Sequence, residues 1–563
     1  MAQSFSSSRR TEVLHEMNGA QFDLLIIGGG ITGAGIALDA ATRGMKTALV
    51  EMQDFAAGTS SRSTKLVHGG LRYLKQFEVK MVAEVGKERA VVYENGPHVT
   101  TPEWMLLPFH KGGTFGRFST SIGLRVYDFL AGVKRSERRT MFGVQETLAK
   151  EPLIKREELK GGGYYVEYRT DDARLTIEVM KEAVAQGAKA VNYTKVEELI
   201  YENGRMIGVR ATDQLDGKVY EVYAKKIVNA TGPWVDTLRE KDHSKKGKML
   251  QLTKGIHLVI DQLRFPLKQA VYFDTPDGRM VFAIPRDGKT YVGTTDTFYD
   301  TDTAHPKMTL ADRKYVIDAI NYMFPDVKIN VNDVESSWAG VRPLIYEEGK
   351  NASEISRKDE IWQSESGLIT IAGGKLTGYR KMAEMVVDLA AGLLKEEGHG
   401  TYPPCKTKTW PISGGNVGGS ANFPAFIRTK TEEGLAYGLT REQAEKLVRT
   451  YGSNIDRIYE YIVQHGREAK ANGLPLDVFI RVFYAMEEEM AAKPVDVFIR
   501  RTGALFFNIG WVHQWKEPVI SYMAKRLRWS AEEKKKYTIE LETQLHDAVV
   551  PMDEKNGNNK FAM

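Results

Sequence analysis

The sequence contains a single cysteine, Cys405, among 563 residues. One cysteine cannot form a disulfide within the chain or ligate an iron–sulfur cluster, and this usage is typical of a reducing compartment. Long apolar runs are also missing, because no segment has the roughly 18 uninterrupted apolar residues that a membrane-spanning helix needs. Residues 1–19 lack the apolar core of a signal peptide. We therefore expect a cytoplasmic protein, or one bound to a membrane face without crossing it.

A strong excess of either charge is missing as well. The chain has 78 Lys and Arg residues against 73 Asp and Glu residues, a net charge of +5. This mild balance does not favour a nucleic-acid partner, but it is compatible with anionic substrates or a lipid surface. The length exceeds what one hydrophobic core usually holds, so two or three domains are expected. No metal site is predicted.

Glycine, by contrast, is abundant, with 52 residues. The stretch Phe22–Glu51 begins with an apolar run, Leu24–Ile27, which is short enough for a buried parallel strand. A glycine-rich turn follows, then helix-forming residues, and then a second apolar strand, Lys46–Val50. This order of strand, glycine turn, helix and strand predicts a βαβ unit that binds a dinucleotide.

Each glycine of the turn has a physical role in such a unit. Gly28 makes the tight turn, Gly30 lets the backbone approach a pyrophosphate, and Gly33 lets the helix pack closely on the strand. The N-terminus of the helix offers unpaired N–H groups to the phosphates. Glu51, at the end of the second strand, is placed to accept hydrogen bonds from a ribose. The spacing supports either NAD or FAD, and the alternative is a glycine turn with a structural role only.

Three later segments have small or hydroxyl-bearing residues where backbone can pass close to a cofactor. The first is a hydroxyl-rich loop after Glu51, for which a solvated turn is the alternative. The second ends a Val-rich and Tyr-rich strand, and the third is another strand, glycine turn and helix. The candidate cofactor-binding residues in them are Thr59, Ser60, Ser61, Thr231, Gly232, Gly374, Lys375, Leu376 and Thr377.

The order of patterns predicts an interrupted nucleotide domain. Short alternating strands between Gly255 and Thr297 indicate an antiparallel sheet, with Asp287-Gly288 as a hairpin turn. We predict a discontinuous nucleotide-binding domain within 1–400, at about 20–100, 163–235 and 345–400, with an inserted substrate domain at about 101–162 and 236–344. A glycine-rich linker is predicted at 401–424, a helical domain at 425–547 and a tail at 548–563.

Motifs distributed over residues 20–400 resemble those of FAD-dependent glycerol-3-phosphate dehydrogenases, in the same order. The helical C-terminal part resembles that family's extra domain less specifically. The motifs are Phe22–Glu51, HGGLRYL at 68–74, DDARL at 171–175, NATGPW at 229–234, VGTTD at 292–296, GVRPL at 340–344 and GGKLTGYRKMAE at 373–384.

This resemblance implies an α/β fold, with an FAD-binding Rossmann-like domain of the glutathione reductase or D-amino acid oxidase type. An antiparallel β substrate domain is inserted into it, and an α-helical domain follows. The implied cofactor is FAD. The implied reaction oxidises sn-glycerol 3-phosphate to dihydroxyacetone phosphate by hydride transfer from C2 to FAD N5, with electrons passing to a membrane quinone.

Candidate residues for this reaction follow from the resemblance and from side-chain chemistry. His257 is a candidate general base, because histidine titrates near neutral pH, but a packed histidine is the alternative. Arg342 suits a phosphate dianion, with a structural ion pair as the alternative. Lys375, at a helix mouth, would stabilise negative charge on the flavin. The remaining candidates for substrate binding are Arg72, Tyr73, Asp296 and Arg357.

Three other functions compete with this interpretation. A glycerol-3-phosphate oxidase shares the motifs but passes electrons to oxygen and makes H2O2. An amine or amino-acid oxidase shares the fold, and a flavin-binding regulatory protein would have no turnover. Because a quinone is a lipid, we also expect peripheral contact with the inner face of the cell membrane, through Gly116–Arg139 or Trp511–Trp529. For the former, the alternative is a core-packed helix with a solvated basic face. The oligomeric state stays open, a homodimer included.

Overall fold

The computed structural model describes residues 5–68, 79–113, 138–347, 359–373 and 375–554. Its strands are β1 Gln21–Ile27, β2 Thr47–Val50, β3 Leu66–Val67, β4 Thr100–His110, β5 Thr140–Phe142, β6 Leu159–Thr170, β7 Lys189–Val191, β8 Thr194–Glu202, β9 Arg205–Asp213, β10 Val219–Asn229, β11 Lys248–Asp261, β12 Ala270–Asp274, β13 Met280–Arg286, β14 Lys289–Gly293, β15 Thr297–Phe298, β16 Val334–Glu347, β17 Glu360–Gln363 and β18 Ile369–Ala372.

The helices of the same residues fall into two groups, one in the part with the sheets and one in the C-terminal part. The first group is α1 Arg10–Met17, α2 Ile31–Thr42, α3 Val79–Asn95, α4 Val144–Lys150, α5 Asp172–Ala185, α6 Val235–Lys241, α7 Leu310–Met323 and α8 Tyr379–Glu396. The second is α9 Phe423–Leu435, α10 Arg441–Tyr451, α11 Ile455–Ala471, α12 Leu476–Glu488, a π-helix Asp496–Arg501, α13 Ala504–Phe507, α14 Ile509–Leu527 and α15 Ala531–Val549.

One sheet has a parallel centre that carries the glycine turn. Its order is β17-β18-β10-β1-β2-β7, with β9 paired to the first half of β10 and β8 beyond it. The strands from β18 to β7 are parallel, whereas β17 is an antiparallel edge strand. Helix α2 covers the sheet and packs against α5 and α8. The βαβ unit predicted from Phe22–Glu51 is thus β1, α2 and β2, in the centre of this sheet.

The second sheet is mostly antiparallel and is built from two separate parts of the chain. Its order is β15-β11-β14-β13-β12-β4-β6-β3, with β16 on β11 and β5 on β6. Strands β13 and β14 form a hairpin through Asp287-Gly288, both of which have positive φ. Because this sheet is inserted between strands of the parallel one, the predicted FAD-binding type of fold with an antiparallel insertion and a helical C-terminal domain is confirmed.

The glycine-rich segment predicted as a linker is packed rather than free. Ile412 N donates to Asn95 O (3.0 Å), and a Cβ on Gly415 would lie 2.0 Å from that same oxygen. Ser420 Oγ donates to Glu94 at 2.6 Å. Its glycines therefore allow close approach to the end of α3, a contact between distant residues that composition cannot reveal.

The predicted tail also begins later than expected. Helix α15 continues to Val549, and Met552 N then donates to Met308 O at 2.9 Å. Leu310 N donates to Asp553 at 2.7 Å, so this end of the chain caps α7 of the substrate part. Within the described ranges, no helix combines the length and apolarity needed to cross a bilayer.

Candidate active site

The turn between β1 and α2 forms the floor of a large cavity. Gly28 has a φ of +114°, which disfavours any residue with a side chain. A Cβ on Gly33 would lie 1.9 Å from Gly28 O, so only glycine lets α2 begin this close to the strand. Gly30 is the N-cap of α2 and has no side chain to cap it. Gly30, Ile31 and Thr32 line the cavity, so the positive end of the helix dipole faces it.

Glu51 follows β2 and is a half-buried acceptor at the same end of the cavity. Its carboxylate accepts hydrogen bonds from Gly29 N (2.6 Å) and Gln53 N (2.7 Å). Burial raises the pKa of Glu51, and these two bonds oppose the rise. Since Glu51 also lines the cavity, its remaining lone pairs can accept hydrogen bonds from ribose hydroxyls.

The hydroxyl-rich loop closes over the start of α2. Ser60 Oγ accepts a hydrogen bond from Ile31 N at 2.9 Å, and Thr59 Oγ1 donates to Val341 O of the second sheet at 2.7 Å. Both residues line the cavity. Ser61 does not, and its buried Oγ makes no hydrogen bond with the residues that the structure describes. The loop therefore joins the two sheets beside the site for a phosphate.

The ends of β10 and β18 supply the opposite wall. Thr231 and Gly232 follow β10, and Lys375, Leu376 and Thr377 follow β18; all five line the cavity. Thr377 Oγ1 donates to His68 O at 3.1 Å. The carboxyl ends of β1, β10 and β18 thus meet at one cleft, which is where open parallel sheets bind ligands.

Arg342 projects into the cavity from the antiparallel sheet. Its guanidinium donates to Thr294 Oγ1 (3.0 Å), Thr295 O (3.3 Å) and Asp296 Oδ1 (3.4 Å). A Cβ on neighbouring Gly255 would lie 2.7 Å from Arg342 Nη2, so glycine leaves room for this side chain. Asp296 does not line the cavity itself, and acts instead as a partner of Arg342.

His68, the first residue of the motif HGGLRYL, lines the cavity, although no role was predicted for it. It lines the wall near Lys375, and its ring contacts Phe282 edge to face. Burial lowers the pKa of His68 to about 4, helped by the positive charges of Lys375 and Arg89. The imidazole is therefore neutral at physiological pH and has an unprotonated nitrogen, although a pKa this low makes it a weak base. The sequence signal that could have placed His68 in the cavity is its position between the hydroxyl-rich loop and two glycines.

His257, the expected general base, lies one side chain behind the cavity wall. Its Nε2 is 3.0 Å from Thr64 Oγ1, and its ring stacks on Trp338 at 4.7 Å. The residue is 1% exposed, and burial holds the pKa of His257 well below its ordinary value. Thr64 lines the cavity, whereas His257 is not among its lining residues. The expected direct contact between His257 and a substrate stays a prediction, and the structure connects His257 to the cavity through Thr64.

Four of the candidate site residues lie outside the described residues: Arg72, Tyr73, Arg357 and Gly374. Most of the proposed membrane segment Gly116–Arg139 does as well. Arg62 is a further cavity residue that was not predicted; its Nη1 donates to Ala304 O at 3.1 Å. Burial lowers the pKa of Arg62 to about 10, because its charge is held away from water.

The cavity itself has a volume of about 590 Å³ and runs from the glycine turn to the antiparallel sheet. That volume is within the range of about 300–1,000 Å³ that small-molecule and cofactor sites occupy. A helix N-terminus whose N-cap is a glycine, a ribose acceptor, and cavity walls that extend from them to the antiparallel sheet fit a dinucleotide with a flat group at its far end. The residues present therefore fit FAD.

Comparisons with known proteins agree with this geometry. Residues 23–380 match the family described as FAD dependent oxidoreductase, and residues 405–534 match the family described as the C-terminal domain of alpha-glycerophosphate oxidase. The chain is 68% identical over 554 residues to the aerobic glycerol-3-phosphate dehydrogenase of Bacillus subtilis (strain 168), covering 98% of this chain and 100% of the relative. It is 58% identical over 562 residues to that of Staphylococcus haemolyticus (strain JCSC1435), covering 100% of both.

Two solved structures are similar as well. The crystal structure of the glycerol-3-phosphate dehydrogenase from Bacillus halodurans complexed with FAD has a TM-score of 0.86 at 53% identity, covering 98% of this chain and 100% of that one. The L-alpha-glycerophosphate oxidase of Mycoplasma pneumoniae with FAD bound has a TM-score of 0.55 at 19% identity, covering 69% and 97%. The second similarity is one of fold alone.

Proposed function

Because this chain belongs to the family of FAD-dependent aerobic glycerol-3-phosphate dehydrogenases, we propose that it oxidises sn-glycerol 3-phosphate to dihydroxyacetone phosphate and passes the electrons to a membrane quinone. One observation carries this proposal. A single cavity joins the dinucleotide turn at Gly28 to a guanidinium, Arg342, on the antiparallel sheet. A cofactor site and an anion site thus share one enclosed space.

FAD, when bound, would supply the acceptor for the hydride that leaves C2 of the substrate. The chain has to hold it and orient the substrate against it. The N-terminus of α2 and the loop at Thr59 and Ser60 would bind the diphosphate, and Glu51 the adenosine ribose. Lys375, with Leu376 and Thr377, would lie along the opposite end of the cofactor, where a positive charge stabilises electron-rich states.

Arg342 would bind the substrate phosphate. A guanidinium presents two N–H groups in the plane that suits a phosphate, and Arg342 is already oriented by Thr294 and Asp296. This pre-organisation lowers the entropic cost of fixing a long side chain when the substrate binds. Expected contacts of Arg72, Tyr73 and Arg357 with the substrate stay predictions.

His68 would take the hydroxyl proton as the hydride leaves. Its pKa of about 4 keeps it unprotonated, and it lines the cavity near Lys375. His257 would act one step away, by fixing the hydroxyl of Thr64 through its hydrogen bond. His257 is therefore proposed as a positioning residue, and His68 as the general base.

The electron acceptor distinguishes this proposal from a glycerol-3-phosphate oxidase. Relatives aligned over the full chain are named dehydrogenases, which favours a quinone over oxygen. The test is steady-state oxidation of glycerol 3-phosphate with a soluble quinone analogue under nitrogen, compared with H2O2 formation in air. Fast quinone reduction with little peroxide supports the dehydrogenase, and the reverse ratio would establish the oxidase.

Peripheral contact with the inner face of the cell membrane belongs to the same proposal, since a quinone resides in lipid. The candidate segment Trp511–Trp529 now has less support, because Trp511, Trp515 and Trp529 pack against the helical core. Sedimentation with anionic liposomes at low salt tests the contact. A protein that stays in the supernatant at every lipid concentration would argue for a different route of electron transfer.

A further inference from the structure

The carboxylate of Asp54 links the cofactor site to the C-terminal helical domain. Asp54 lies three residues after Glu51, and its side chain is fully buried. Arg500 Nε donates to its Oδ2 at 2.5 Å, while Arg501 donates from Nη1 to Oδ2 (2.7 Å) and from Nη2 to Oδ1 (2.9 Å). Two guanidinium groups of another domain thus hold the segment Glu51–Asp54.

The same cluster of charged side chains also holds a second segment that lines the cavity. Tyr193 Oη donates to Asp496 Oδ1 at 2.6 Å, and Arg500 Nη2 donates to that same oxygen at 2.5 Å. Asn192 Nδ2 donates to Asp54 Oδ1 at 3.0 Å. Residues Asn192 and Tyr193 lead directly into Thr194–Val196, which line the cavity.

The two segments are also bonded to each other beside the cavity. Tyr193 N donates to Gln53 O at 2.7 Å, and Thr194 N donates to Glu51 O at 2.6 Å. The backbone of Glu51, which presents the ribose acceptor, is therefore fixed from one side by Thr194. Three residues further on, at Asp54, the chain is fixed by the arginines of the C-terminal domain. A displacement of Asp54 would move Glu51 and Gln53 together.

The local fold of the C-terminal domain explains how two consecutive arginines reach one carboxylate. Asp496–Arg501 is a π-helix, a rare element whose wider turn often occurs at functional sites. Arg501 is 2% exposed, and it also donates to Glu489 O at 2.7 Å. Burying this many charges is costly unless their geometry is satisfied, so the pairing strongly disfavours other positions of the two segments.

We infer that the C-terminal domain is a structural part of the FAD site, with Arg500 and Arg501 acting as positioning residues that hold Glu51 through Asp54. Among the described residues of this domain, none lines the cavity. It fixes the two backbone segments against which the adenosine end of the cofactor binds. The inference rests on the FAD site described above and extends it to residues about 450 positions away in the chain.

The test measures the binding of FAD to the full-length apoprotein. Quenching of FAD fluorescence monitors the binding. In Arg501→Met, Asp54 keeps only one of its two guanidinium partners. We expect the dissociation constant for FAD to rise by about tenfold, as loss of a supporting residue does at other sites. At saturating FAD, kcat and the KM for glycerol 3-phosphate should stay within about twofold of the unaltered protein, because the substrate end is untouched.

Arg43→Met is the matched control. Arg43 is also a buried arginine that pairs with two carboxylates, Asp39 and Asp388, but neither it nor these partners contact Asp54 or line the cavity. Its loss should lower the melting temperature comparably while leaving FAD affinity within about twofold. Equal weakening of FAD binding in both variants would overturn the inference, and so would an unchanged affinity in Arg501→Met.

A conservative variant covers the case in which Arg501→Met fails to fold. Arg501→Lys keeps the charge but loses the two-pronged hydrogen bond to Asp54. A threefold or larger rise in its dissociation constant for FAD supports the inference, and the affinity of the unaltered protein contradicts it. Because the unaltered protein is measured in the same series, a failure of the proposed activity itself would be seen separately.

Discussion

Replacing Arg342 by methionine tests the phosphate site most sharply. The methionine keeps most of the side-chain volume and removes the guanidinium, which is held by Thr294 and Asp296. Two hydrogen bonds from a charged donor to a phosphate contribute about 1.5 kcal/mol each, or about 3 kcal/mol together. Because each 1.4 kcal/mol is a factor of ten, kcat/KM for glycerol 3-phosphate should fall by about a hundredfold.

Glycerol provides the comparison, because it lacks the phosphate but has the same reacting carbon. Anaerobic steady-state assays with a quinone analogue should show that Arg342→Met changes kcat/KM for glycerol by less than about threefold. Asp296→Asn is the matched control, since it removes the charge partner and keeps the guanidinium; its effect should be below about tenfold. Equal losses with glycerol 3-phosphate and glycerol in Arg342→Met would refute the role in phosphate binding.

Three further predictions concern the turn, the base and a buried histidine. Gly33→Ala would place a Cβ 1.9 Å from Gly28 O, so we expect denaturant unfolding to show a loss of about 1–3 kcal/mol, with FAD lost on purification. His68→Asn should lower kcat by about 10²–10⁴ with little change in FAD affinity; full turnover would exclude His68 as the base. Burial lowers the pKa of His98 from 6.5 to about 4, so its contribution to stability is present above pH 6.5 and is lost as the pH falls from 6.5 toward 4. His98→Asn should flatten the fall in melting temperature over that window, whereas the exposed control His546→Asn should not.

The nucleotide-binding unit could be predicted from local patterns in the sequence. The apolar run Leu24–Ile27 lies within β1, and Lys46–Val50 lies over β2. Helix α10, Arg441–Tyr451, lies within the helical domain predicted at 425–547. These elements depend on residues close in sequence, where strand and helix periods and glycine turns determine the backbone.

Side-chain environment was less accessible to prediction. His257 lies on the same face of β11 as the cavity residue Gly255, two positions earlier, so alternation alone favours a cavity position for it. Thr64, 193 residues away in the chain, covers its ring. The histidine that lines the cavity is His68, the first residue of the motif HGGLRYL. Contacts between residues this far apart depend on the packing of the two sheets, which the local pattern does not contain.

Glycine content misled the prediction in one place for a related reason. Residues 413–420 have the composition of a flexible linker, yet Gly415 is where the chain passes against Asn95 O. Glycine serves both free segments and close backbone contacts, and only the contact partner distinguishes them. The buried pairing of Asp54 with Arg500 and Arg501 could not be predicted for the same reason, because nothing near Asp54 in the sequence indicates a partner.

One cavity is proposed to bind FAD and glycerol 3-phosphate together. The most direct measurement is the visible spectrum of the purified protein under nitrogen, before and after glycerol 3-phosphate is added. We predict flavin absorbance near 450 nm that bleaches when about one equivalent of glycerol 3-phosphate is added, with dihydroxyacetone phosphate as the product. A flavin spectrum that glycerol 3-phosphate leaves unchanged at every concentration would contradict the account.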